Sequence, residues 1–389
     1  MTDASTSDAL TAAFVPPARL LLGPGPCNVA PEVLAASAAP VIGHLDPAFQ
    51  GLMEQVKARL RVAFGTENAV TFPLSAPASL AMEAALVNLL EPGDRAVIAV
   101  NGVFGGRMAE IARRAGAEVT TVEAPWGEPV DPAALGAALA RAPGAKLVGF
   151  VLAETSTGVL SDAAALCAAA RAAGALSVVD AVTALGGVPV TVDAWGADVV
   201  YSGTQKCLGC PPGLAPITFS PRAVAAVKAR TAPVQSWFCD LGLVLGYWEG
   251  SGGARSYHHT APVNAIYGLH AALGALLAEG LPAAQARHAA AQARLVAGLA
   301  ALGLTPLVAE GARLAPLTTV VIPEGVADAP LRAALLTRHG IEIGAGLGPL
   351  AGKVWRVGLM GGNARPEVVD RLLGALAAEL AAARAMAAA

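Results

Sequence analysis

Charge is scarce in this sequence. Only 14% of its 389 residues are Asp, Glu, Lys or Arg, and 26 basic against 29 acidic side chains leave a formal net charge of −3. No basic stripe exists to neutralise a phosphate backbone, so nucleic acid is excluded as a partner. Long apolar runs are lacking too. Hydrophobic residues make up 55% of the chain and the mean hydropathy is +0.56, yet Gly, Pro or a charge interrupts each stretch before the ~18 residues that a bilayer span needs. No membrane partner is expected. The opening MTDASTSDAL contains no Lys or Arg, which reads as neither a secretory nor a mitochondrial leader and leaves a cytoplasmic address as the expectation. Cysteine occurs only at positions 27, 167, 207, 210 and 239. An odd set in apolar surroundings reads as reduced, buried thiols. What is abundant is small apolar surface, enough for a large core, which rules out disorder for most of the chain.

The length suggests two domains. Up to about residue 19 no apolar period is visible and Pro16-Pro17 stops any helix, so residues 1–20 read as an arm, flexible or packed on a partner. From Ala69 on, strand-length apolar runs alternate with helix-length Ala/Leu-rich runs. The strands are placed at Ala69-Phe72, Arg95-Val100, Glu118-Val122, Lys146-Val151, Leu176-Asp180 and Ala197-Ser202, with helices at Ser79-Leu90, Gly105-Gly116, Asp131-Arg141 and Ser161-Gly174. That alternation predicts an α/β fold with a mostly parallel sheet, spanning residues 21–279. Its chemistry is expected at the carboxyl ends of the strands. Residues 280–389 read as a smaller domain, with helices near Ala283-Leu302 and from Arg365 onward, and strands near Thr318-Ile322 and Val354-Leu359.

Several residue groups could carry chemistry. Lys206, in Tyr201-Ser202-Gly203-Thr204-Gln205-Lys206, follows a strand, where a desolvated amine becomes a nucleophile toward an aldehyde; a surface lysine is the plainer reading. Asp180 ends the apolar run LSVVD and needs a cationic or donating partner if buried. A pyridinium nitrogen would serve, and so would a turn that the carboxylate caps. Ser75-Ala76-Pro77-Ala78-Ser79 precedes a helix start, where backbone N–H groups can take a phosphate, or Ser79 can simply cap the helix. Tyr257 and Thr260, in Tyr257-His258-His259-Thr260, could donate to one anion; the two adjacent histidines lack a third ligand at metal spacing, so no metal is expected. Arg356 interrupts an apolar strand, either as a bidentate site for a carboxylate or as half of an ion pair.

In order along the chain, the motifs LLGPGPCNV (Leu21-Val29), EAALVNLLEPGD (Glu83-Asp94), ETSTGVL (Glu154-Leu160), VVDAVTALGG (Val178-Gly187), YSGTQKCL (Tyr201-Leu208), YHHTAPV (Tyr257-Val263) and GKVWRVGLMG (Gly352-Gly361) resemble the class V, fold-type I pyridoxal-phosphate aminotransferases. The resemblance is to the alanine:glyoxylate and serine:glyoxylate (serine:pyruvate) group, and it runs from Leu20 to about Leu380. It implies pyridoxal 5′-phosphate as cofactor, with Lys206 forming the internal aldimine and moving the substrate α-proton, and Asp180 keeping the ring nitrogen protonated. It further implies Phe104 and Val182 against the two ring faces, Thr155 near the ring hydroxyl, and the phosphate at Ala78, Ser79 and Gln205. Tyr257 and Thr260 would come from the neighbouring subunit of a homodimer, and Gly25 and Arg356 would meet the substrate. The expected reaction moves the amino group of alanine or serine to glyoxylate or pyruvate; ureidoglycine as donor, or a cofactor-binding relative without turnover, are the alternatives.

One segment departs from the family. Where its members usually carry Ser-Gly-x-Gly, this chain has Ser75-Ala76-Pro77-Ala78-Ser79, and a proline and two added methyls remove backbone freedom and an N–H donor. A cysteine desulfurase would need a mobile Cys well downstream of the Lys, and none follows Cys239.

Overall fold

Parallel strands covered on both faces read as unbroken apolar runs, because neither side of the sheet meets water. The computed structural model, which describes residues 11–249 and 255–388, builds most of its central sheet from such runs, the edge strand Glu118–Glu123 being the polar, largely exposed exception. Its strands are β1 (Val70–Leu74), β2 (Arg95–Val100), β3 (Glu118–Glu123), β4 (Leu147–Val151), β5 (Leu176–Asp180), β6 (Val199–Tyr201) and β7 (Ala215–Phe219). The spatial order is β1-β7-β6-β5-β4-β2-β3. Strands β2 to β6 run parallel. β7 has no counterpart in the sequence reading; it lies antiparallel to both β1 and β6. β1 extends to Leu74, past the Phe72 end expected from sequence, because it pairs with β7 alone: at a sheet edge Pro73 withholds no ladder bond.

The intervening helices follow their capping residues. Asp131 and Asp162 each accept a backbone N–H in the first turn of helices Pro132–Arg141 and Ala163–Ala172, at 2.9 and 3.0 Å. Ser79 is a correction. Helix α1 (Ala78–Leu89) begins one residue before it, with Pro77 at the N-cap and no side-chain cap. Helix α2 (Val103–Arg114) follows β2.

The later part of the chain surrounds a small antiparallel sheet ordered β8-β10-β9, from β8 (Leu317–Val321), β9 (Gly344–Ala345) and β10 (Val354–Gly358). Helices α3 (Leu281–Ala301) and α4 (Pro366–Ala388) bring Leu295, Leu299, Leu372, Leu376 and Leu380 into one apolar cluster with Trp355 and Val357. Each fully buried Leu contributes roughly 1.5–3 kcal/mol. Leu22 joins this cluster, because Leu20–Leu21 pairs in parallel with Ile341–Glu342. The beginning of the chain is thereby sewn to its C-terminal part. Residues 1–10 of the arm expected over 1–20 lie outside the described residues. Among the described residues, no single helix is long and apolar enough to cross a membrane.

Candidate active site

The carboxyl ends of β1, β2, β4, β5 and β6 converge on one rim, as parallel strands with right-handed crossovers must. A cavity of about 100 Å³ opens there, lined by Ala78 and Ser79 after β1, Phe104 after β2, Thr155 after β4, Asp180 and Val182 at the end of β5, and Gln205 and Lys206 after β6, together with Pro77, Met82 and Arg107. Residues from five loops, far apart in sequence, thus share one space.

Asp180 lies at its buried floor. One carboxylate oxygen accepts the Val182 N–H at 2.9 Å, and the other accepts the Tyr201 hydroxyl at 2.9 Å. Turn-capping and site-facing roles therefore coexist in one side chain. Burial pushes its pKa up to about 6, opposed by these two hydrogen bonds, while Glu154 adds to the rise and Lys206 lowers it. An acid this unwilling to ionise lacks a close cation. Lys206 is pushed the other way: burial lowers its pKa, with Arg356 adding repulsion. Its Nζ donates to the Pro24 carbonyl. A neutral amine with a free lone pair is the species that attacks a carbonyl carbon.

Gly25 stands directly against this amine. At φ +95° it occupies backbone space that favours glycine, and a Cβ there would lie 2.5 Å from Lys206 Nζ and 2.6 Å from Cδ. We expect Gly25→Ala to cost about 1–3 kcal/mol in stability and to lower kcat by roughly 10²-fold through misplacement of the amine. Thermal unfolding with steady-state kinetics checks this; near-wild-type turnover would remove Gly25 from the site.

Arg356 sits in the middle strand of the small sheet, buried, donating from Nε to Ala345 O at 2.7 Å and from Nη1 to the Thr155 carbonyl at 3.1 Å. Both partners are neutral backbone oxygens. The ion-pair reading is thus not what is found among the described residues; instead burial lowers the guanidinium to about 10, eased by the more distant Glu154. Thr155 also meets Thr183, with hydroxyls 2.6 Å apart. Tyr257, 67% exposed, and Thr260 are not brought to this cavity within one chain. The neighbouring histidines face each other, with Nδ1 atoms 2.8 Å apart, and His259 reaches Ser75 Oγ at 2.7 Å. Among the described residues no group of three or more His, Cys, Asp or Glu could hold a metal ion.

Three residues of the site were not singled out from sequence. Glu154, fully buried with its pKa raised by burial, accepts the Phe104 N–H at 3.1 Å and the Ser156 hydroxyl at 2.5 Å. Its charge lies at the N-terminus of α2, where the helix dipole favours it, and it fixes the start of Phe104's helix. Gly102 leaves room for it, since a Cβ there would lie 2.4 Å from Glu154 Cδ. Tyr201 donates to Asp180, and its single appearance at a strand end carries no sequence signal. Arg107 looks like an ordinary exposed helix charge until the loops are assembled.

A family model described as aminotransferase class-V matches residues 32–360. The chain belongs to the class V aminotransferases. It is an aminotransferase by that membership, and the family uses pyridoxal phosphate. It is 39% identical to the alanine–glyoxylate aminotransferase of Oryctolagus cuniculus over 95% of this chain and 94% of that protein. To the (S)-ureidoglycine–glyoxylate transaminase of Bacillus subtilis it is 37% identical, over 94% and 91% of the two chains. A solved alanine–glyoxylate aminotransferase from Nostoc sp. superposes with a TM-score of 0.92 at 45% identity, covering 96% of this chain and 99% of that one.

The residues present fit the family's cofactor. Asp180 is a buried acid whose hydrogen bonds among the described residues come only from a backbone N–H and a hydroxyl, and a protonated ring nitrogen is the partner that would ionise it. Gln205 Oε1 is buried and has no hydrogen-bond partner, on the wall of the same cavity. Such an atom costs about 1–3 kcal/mol unless a ligand or water meets it.

Proposed function

We propose that this aminotransferase binds pyridoxal 5′-phosphate at Lys206 and moves the amino group of a small neutral amino acid, alanine or serine, to glyoxylate or pyruvate. The observation that carries the choice of substrate is Arg356: one buried guanidinium beside Lys206, bonded only to carbonyl oxygens, with Nη2 left for a carboxylate. A single guanidinium suits a substrate with one carboxylate and leaves a second, as in aspartate or glutamate, without a partner. The relatives named for glyoxylate as acceptor support the other half of the reaction.

Bound pyridoxal phosphate supplies an aldehyde that joins an amine and a protonated ring that withdraws electrons from the substrate α-carbon. Asp180 would hold the ring nitrogen, Phe104 and Val182 the ring faces, Thr155 the ring hydroxyl, and Ser79 and Gln205 the phosphate. Lys206, whose charged form burial disfavours, would move the proton between the substrate α-carbon and the carbon that had been the cofactor's aldehyde. Arg356 orients the substrate so that its α C–H faces that amine. Glu154 keeps Phe104 in place.

The active form in this proposal is a homodimer in which Tyr257 and Thr260 serve the neighbouring cavity, a reading favoured by their exposure and by their absence from the lining of their own. A cytoplasmic setting is favoured by five cysteines that are all free and buried. Ureidoglycine as donor is the second reading, supported by the Bacillus subtilis relative. Steady-state kcat/KM over a panel of amino donors, with glyoxylate and with pyruvate, decides between them. We expect alanine or serine to lead; a dominant ureidoglycine or dicarboxylate donor overturns the assignment.

A further inference from the structure

The phosphate end of the cavity presents an imbalance of charge. A phosphate monoester carries close to two negative charges at neutral pH, and the start of α1 offers it less than a glycine-rich loop would. Pro77 contributes no N–H, and Ala76 N–H is already used on the Leu74 carbonyl at 2.9 Å. Leu80 N–H turns back to Pro77 O at 2.9 Å. That leaves the first-turn N–H groups of Ala78 and Ser79, the Ser79 hydroxyl and Gln205, all uncharged.

Arg107 is placed to supply the missing charge. It lines the cavity from α2, and Nη1 donates to Ser79 Oγ at 3.0 Å. Its guanidinium carbon lies 4.9 Å from the centre of the Phe104 ring, a cation–π arrangement that holds the group in place. Its charge is felt as far in as Tyr201. Two carboxylates, Glu83 and Glu110, share with it a groove of about 760 Å³ that adjoins the cavity at Pro77 and Ser79. Neither takes it: Glu110 pairs with Arg114 at 2.8 Å, and the sole hydrogen bond of the Arg107 side chain among the described residues goes to a hydroxyl. The other cations near the site have different duties, Lys206 as the amine and Arg356 bonded behind it. A guanidinium that could neutralise itself on a nearby carboxylate and instead faces a helix start is set up for an anion.

We propose that Arg107 is the cation that binds the cofactor's phosphate in this chain, replacing with a charged side chain the backbone donors that Ala76 and Pro77 withhold. The proposal rests on pyridoxal phosphate being the cofactor. It also explains why the loop tolerates its alanines: no residue from 75 to 79 has a positive φ, so no glycine is required there.

The test uses the full chain stripped of cofactor, as wild type, Arg107→Gln and Arg107→Lys, titrated separately with pyridoxal phosphate and with pyridoxal, which has the same ring and aldehyde but no phosphate. We expect Arg107→Gln to raise Kd for pyridoxal phosphate roughly 10- to 100-fold, the range for a charge-assisted hydrogen bond, and to leave Kd for pyridoxal within about twofold. Arg107→Lys should recover part of the loss, and melting temperatures of the stripped proteins should agree. If Arg107→Gln weakens both compounds equally, the guanidinium acts through Phe104 on the ring and the proposal fails; if it weakens neither, the phosphate is held without it and the proposal fails likewise. Wild-type protein that binds neither compound would instead overturn the cofactor reading on which the proposal rests.

Discussion

Lys206→Ala should lower transamination by roughly 10⁴-fold or more, because in the proposed mechanism it removes both the amine that joins the cofactor and the base that moves the α-proton. Among the described residues no other amine lines the cavity. Stability should hold or rise, since burial of this amine already works against its charge. The same variant reports on the assembly. Mixed in equal amounts with Tyr257→Phe, it should form hybrid dimers in which one of the two cavities has both native residues. Random assortment then restores about a quarter of the wild-type sites. Activity no greater than the sum of the separate variants would sink the shared-site arrangement, while full activity of Lys206→Ala alone would sink the chemistry.

Asp180→Asn has the second largest expected effect, a fall in kcat/KM of about 10²- to 10⁴-fold, corresponding to the roughly 3–5 kcal/mol lost when one member of a buried charged pair is removed. The cofactor-free protein gives an independent readout. Asp180 has a folded pKa of about 6 against an ordinary value of 3.8. A group raised in the folded state contributes stability that is fully present below the ordinary value and lost as pH climbs through the folded one. Between pH 5 and pH 8 cofactor-free wild type should therefore lose about 1–2 kcal/mol that Asp180→Asn keeps. Urea unfolding of both proteins at the two pH values measures the difference, and parallel pH profiles would show that Asp180 is not the strained acid described here. If the ring nitrogen pairs with the carboxylate in the loaded enzyme, as proposed, the wild-type loss should vanish there.

Much of the fold could be read from the chain because β2, β4, β5 and β6 must bury both faces, which forces apolar runs that the eye can find. The elements that escaped notice have weaker constraints. β7 breaks its apolar run at Thr218, and the helix Pro47–Phe64 precedes the first recognisable strand. In the site, Asp180 stood out as a charge in an apolar run, and Lys206 by its position after a strand. Their roles came from the likeness to the family rather than from spacing. Arg107 had no such mark. It belongs to a helix face that also carries Glu110 and Arg114, and only the folding of α2 against the start of α1 turns it toward Ser79. Gly25 and Lys206 lie too far apart in sequence for any local pattern to join them.

The pairing of Leu20–Leu21 with Ile341–Glu342 bears on more than the anchoring of a terminus. The same short segment continues through Leu22, whose carbonyl accepts the Gly358 N–H at 2.8 Å on the strand that carries Arg356, to Pro24, whose carbonyl accepts Lys206. The strand that carries Arg356 and the carbonyl that meets Lys206 are therefore joined through three residues of one segment. Under the proposed function, a substitution within Leu22–Pro24 should be felt at both side chains at once, at the binding of the acid and at the amine.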